Sequence, residues 1–135
     1  MTSYVLLGTP GYIRNPERFD PDTVLKVLGA NSGNLMFQYA VTRMIDAELT
    51  HISPAEAPYS DRSAYSDARA LVFPAANHLR PGADWTGLNN YLNAAKIPLV
   101  VFGLGAQAPD REGEAATIEA LKTDTHVRRL VDILR

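Results

Sequence analysis

The sequence predicts an α/β fold, a single Rossmann-like three-layer domain with a mostly parallel sheet. Three observations predict it. Apolar runs of strand length at residues 24–28, 70–73 and 98–103 alternate with segments of helical periodicity. Turns rich in glycine, asparagine and alanine follow those runs. The chain has 135 residues, 46% hydrophobic and 21% charged, enough for one core and short for a two-domain enzyme. Strands alternating with helices imply right-handed crossovers, so three strand ends, near residues 29–34, 74–78 and 103–107, open on one edge of the sheet.

Each element has its own justification. Residues 3–8 (SYVLLG) suit a short strand or an extended arm, and Thr9-Pro10-Gly11, Asn15-Pro16 and Asp20-Pro21 break any continuation, so 1–22 is an irregular N-terminal arm. Val24, Leu25, Val27 and Leu28 form a buried strand, 29–34 a polar turn, and 35–45 an apolar helix with Asn34 as its N-cap. Leu49, Thr50 and Ile52 mark a strand at 48–53. The stretch 54–67, with prolines, serines and acidic residues, is a long loop, read either as a tethered surface loop with a turn of helix or as a functional loop over a site with Tyr59 and Tyr65 as its contact residues. A strand at 70–73 runs into Pro74-Ala75-Ala76-Asn77-His78, and 84–96 is a helix capped by Asp84. The run 98–103 is continuously apolar, which assigns it, with the 24–28 strand, a central position covered on both faces. Helices at 113–122 and 125–135 complete the chain, Thr125 capping the second.

Composition excludes several classes of function. The net charge is −2 and the 13 basic residues are scattered, so no nucleic-acid footprint forms. The chain has no cysteine, which removes disulfides, thiolate metal sites and cysteine nucleophiles together. His51, His78 and His126 lie on different elements with no carboxylate cluster, so neither a metal nor a cofactor is expected. No basic leader and no apolar run of membrane length occur, which makes cytoplasmic the expected location, without a transmembrane segment.

The turn at 29–34 carries the chemistry. A helix start after a glycine turn leaves backbone N–H groups unpaired and aimed at one spot, favouring an anion or a hydroxyl-rich ligand. Gly29 and Gly33 let the backbone turn and a ligand approach it. The spacing is not the dinucleotide G-x-G-x-x-G, and no P-loop lysine is present. With the other strand ends, the topology gathers Asn31, Asn34, Asn77, His78 and Gln107 around one crevice whose backbone is opened by Gly33, Gly103 and Gly105. Amides donate and accept, as sugar hydroxyls demand. His78 is the one side chain there with an ordinary pKa near neutrality, and is the candidate general acid or base.

Three motifs, NSGNLMFQYAV (31–41), ARALVFPAANHLRPGADW (68–85) and IPLVVFGLGAQAP (97–109), occur in this order. In them the chain resembles the amino-terminal half of the polysaccharide pyruvyl transferase family. The resemblance covers roughly residues 24–135 and implies one of two Rossmann-like domains facing a cleft, as in B-type glycosyltransferases. It implies phosphoenolpyruvate as donor substrate and a saccharide or lipid-linked saccharide of a surface polysaccharide as acceptor, met by the amino-terminal domain. Basic residues that would clamp the donor have no counterparts here, so the chain alone is expected to be catalytically silent. The family's frequent Gly-Asp after the turn is Gly33-Asn34 in this chain, which lacks that carboxylate. A different class of function is also open, a small module binding a nucleotide or anion at 29–34 without catalysis. Val127, Leu130, Val131 and Leu134 on the last helix, if exposed, predict a homo-oligomer.

Overall fold

The computed structural model describes residues 3–8, 16–27, 32–52, 67–108 and 113–135. In chain order the elements are β1 (Ser3–Leu7), a 3₁₀ turn (Pro16–Arg18), α1 (Pro21–Val27), α2 (Ser32–Met44), β2 (Glu48–Ile52), β3 (Leu71–Pro74), α3 (Thr86–Ala94), β4 (Leu99–Phe102), α4 (Glu114–Thr123) and α5 (Thr125–Ile133). The four strands form one all-parallel sheet in the order β2-β1-β3-β4. Registers pair Val5 with Thr50 and Leu71, and Leu71 with Leu99.

Side chains alternate across the sheet with period two, and this divides the core. On one face Val5, Leu7, Leu71 and Phe73 pack with Leu88, Tyr91 and Leu92 of α3 and Leu130 of α5. On the other, Leu6 and Val72 pack with Val41, Phe37 and Ile45 from α2 and its end. Helix, sheet and helix make three layers, the α/β Rossmann-like architecture that the alternating pattern predicts.

Five expectations are corrected. Residues 21–27 are helix α1, where a strand was expected from Val24 onward. The Asp20 carboxylate accepts from the Thr23 backbone N–H at 3.0 Å and from its hydroxyl, Pro21 opens the helix, and Asp22 sits in its first turn. These start signals outweigh the apolar run that follows. Of the two readings of residues 3–8 the short strand holds, as β1, an inner strand of the sheet with Val5, Leu6 and Leu7 all buried, so the irregular arm does not span the whole of 1–22. The 98–103 strand, expected to be central, is the edge strand β4, and Val100 is 41% exposed. The last helix does not present the whole apolar stripe expected of it, since Val127 and Leu130 are buried, Leu130 in the core with α3. Its cap is Asp124, not Thr125: the carboxylate accepts from the N–H groups of His126 and Val127 at 2.9 and 3.0 Å.

Helix ends differ in smaller ways. α2 begins at Ser32, which puts Asn34 within the first turn instead of at the cap. Asp84 accepts from the Thr86 N–H at 2.9 Å, although Trp85 holds the N-cap position of α3. The loop contacts expected of Tyr59 and Tyr65, and the turn residues Gly29 and Asn31, lie outside the described residues.

Candidate functional site

The loops that leave β3 and β4 are joined to each other. The Ala75 N–H donates to Phe102 O at 2.9 Å, the Leu79 N–H to Gly105 O at 3.0 Å, and the Gln107 N–H to Leu79 O at 3.0 Å, giving a parallel bridge between Leu79 and Ala106 beyond the strands. The two carboxyl-terminal loops therefore act as one rigid rim. α2 lies along the same edge: its Gln38 carboxamide reaches the end of β1 at Gly8.

Between this rim and the start of α2 is an open cavity of about 340 Å³, lined by Gly33, Asn34, Phe37, Ala76, Asn77 and Gly103. Four residues named from sequence, Gly33, Asn34, Asn77 and Gly103, meet here. The glycine at 103 is required twice over. Its φ is +59°, and a Cβ there would lie 2.8 Å from Phe37 Cζ, so the ring tip occupies the space a side chain would take. Gly105 does not line the cavity; a Cβ there would lie 3.0 Å from Ala76 O. The Gly105 N–H donates to that same carbonyl.

Ala76 is held at φ +37°, the one described non-glycine residue at positive φ. Such a conformation costs on the order of 1–3 kcal/mol and persists only where neighbours impose it. Here the bond from Gly105 to Ala76 O and that from the His78 N–H to Ala75 O, at 3.0 Å, fix the turn from both ends. The result is Asn77 presented at the cavity wall.

His78 is elsewhere. It does not line the cavity; its ring lies edge-on to Phe73 with centroids 4.8 Å apart and 5.0 Å from the Trp85 ring. Its Nδ1 is bonded to Ala75 O, which leaves Nε2 as the ring's acceptor. Burial lowers its pKa below the ordinary imidazole value, and Arg80 adds to the lowering while the bond to Ala75 opposes it. The imidazole is therefore neutral at pH 7. Gln107 is also apart from the amides and lines a second cavity with Arg80.

Phe37 and Ala76 were missed by sequence reasoning. Phe37 had a readable signal, since it is four residues after Gly33 and so shares its helix face. Ala76 had none, because its conformation is imposed by a loop distant in sequence. Among the described residues no group of three histidine, aspartate or glutamate side chains could hold a metal ion, and no helix is long and apolar enough to cross a membrane.

No model of a known protein family, no curated protein and no solved structure matches the chain. The resemblance to polysaccharide pyruvyl transferases rests on the three ordered motifs alone.

Proposed function

We propose that the chain binds a saccharide in the cavity between α2 and the β3–β4 rim, as the acceptor-side domain of a pyruvyl transferase acting on a surface polysaccharide. One observation carries this reading: Asn34 and Asn77, distant in sequence, line one cavity together with Phe37. Each amide offers two donors and an acceptor, the mixture that a vicinal pair of hydroxyls requires. The ring adds an apolar surface for the C–H face of a sugar. Among the described residues no charged side chain lines the cavity, which favours a neutral hydroxyl-rich ligand over a phosphate. The order of the three motifs supplies the pyruvyl-transferase part of the proposal, with phosphoenolpyruvate as donor, and the absence of cysteine is in keeping with a cytoplasmic setting. His78 is assigned the support of the Ala75–Asn77 turn, since its ring faces Phe73 and Trp85.

The test is a titration of the chain with neutral and acidic oligosaccharides, phosphoenolpyruvate and mononucleotides, followed by melting temperature and amide NMR shifts. A ligand that binds only the folded state raises stability with the logarithm of its concentration over Kd, so weak binding registers. A saccharide response that Asn34→Ala and Asn77→Ala each reduce about tenfold, one lost hydrogen bond to a ligand that stays buried, is the expected result. A mononucleotide response with no saccharide response would replace it with the binding-module reading.

A further inference from the structure

A second cavity, about 410 Å³, lies on the rim between the β3 and β4 loops and α4, and shares no lining residue with the first. Its polar wall is Arg80, Gln107 and the buried Thr117; its apolar wall includes Pro81, Ala108 and Ala116. The saccharide reading gives it no task.

The walls are held by bonds distributed along the chain. The Leu79–Ala106 bridge fixes Arg80 and Gln107 as the residues that follow its two sides. The Gly82 N–H donates to the Asp124 carboxylate at 2.8 Å, tying the Arg80 loop to the α4–α5 junction. The Arg80 guanidinium is positioned over the Trp85 ring, 5.3 Å from its centroid. A guanidinium stacked in this way keeps its in-plane N–H fork available to a planar acceptor. Arg80 is the one charged residue lining the cavity among those described, and Gly113, which also lines it, holds the N-cap position of α4. The electrostatics ask for a single negative charge, and the small side chains ask for a short apolar body.

We propose that this cavity binds a small organic acid, its carboxylate against Arg80 and Gln107 and its carbon chain against Pro81, Ala108 and Ala116. The carboxylate accepts from the guanidinium N–H groups in the bidentate manner that a planar fork allows.

The experiment uses the full chain labelled with ¹⁵N and titrated with butyrate, with butyramide as the uncharged isostere and inorganic phosphate as a second anion. Butyrate is expected to give saturable shifts at the amides of Arg80, Gln107, Gly113 and Thr117, with butyramide about tenfold or more weaker, the value of a charge-assisted bond. Arg80→Gln, a substitution at an exposed position, should weaken butyrate about tenfold or more and leave butyramide unchanged. Equal binding of butyrate and butyramide, phosphate binding in place of butyrate, an unaffected Arg80→Gln variant, or no saturable shift at these amides would each overturn the proposal. The isostere comparison on the unmodified chain decides the matter even if the variant folds poorly. Neither outcome bears on the saccharide site, whose amides at Asn34 and Asn77 report separately.

Discussion

At the scale of single residues, the site depends on atoms held where the chain would not otherwise put them. Ala76 sits at φ +37° because Gly105 and His78 grip the carbonyls around it. His78 then has a measurable consequence. Its pKa is lowered in the fold, while in the unfolded chain it titrates near its ordinary value of about 6.5. As pH falls through that value the unfolded state takes up a proton that the folded state resists, so the folded state loses stability on acidification. Melting temperatures of the parent chain and of His78→Gln, measured from about pH 7.5 to 5, are expected to converge as pH falls, because the variant lacks this loss. Curves that stay parallel would show that His78 titrates alike in both states. Sequence reasoning grouped Asn34, Asn77, Gly33 and Gly103, which line one cavity, because polar and small residues after a strand are readable locally. It could not find that His78 turns to Phe73 and Trp85, since that depends on where α3 crosses the sheet.

At the scale of elements, starts and stops were decided by short polar signals as much as by apolar runs. Asp20-Pro21-Asp22-Thr23 contains a capping carboxylate, a proline at the first helical position and an acid in the first turn, and it converts the apolar stretch after it into α1. The aspartate and proline are the residues that also suggest a break, so the signal was present and ambiguous. β2, β3 and α3 were legible to within a residue or two, because each has its own period and flanking turns. The clearest element-scale prediction concerns Asp124, which caps α5 and also accepts from Gly82. Asp124→Ala should cost about 1–2 kcal/mol in denaturant unfolding, the upper part of the range for a lost N-cap. Its pKa is lowered first by the Gly82 N–H and next by that of Val127. That contribution is present above the unfolded carboxylate pKa and is lost as pH falls through the folded one. A variant as stable as the parent at pH 7 would mean that the cap and the tie to Gly82 are replaceable by water.

At the scale of the whole molecule, the sheet order β2-β1-β3-β4 assigns inner and outer positions that apolarity alone misassigned. β4 is apolar along its length yet lies at an edge, whereas β1, next to the proline-rich stretch, is enclosed. Pairing partners, which no local run of residues reveals, make the difference. The contrast is testable with one substitution at two places: Val100→Lys on β4 should change stability by no more than about 0.5–1 kcal/mol, as at an exposed position, while Val72→Lys on β3 should prevent folding by burying an unpaired charge. Equal tolerance in circular-dichroism melts would contradict the strand order. The order also has a consequence in time. β1 is synthesised first, yet Val5 must wait for Leu71, far along the chain, before its second neighbour exists. At about 5–20 residues per second that interval is on the order of several seconds on the ribosome. During it a strand of Tyr4, Val5, Leu6 and Leu7 is without one of its flanks, and its unpaired edge in the nascent chain is open to mispairing.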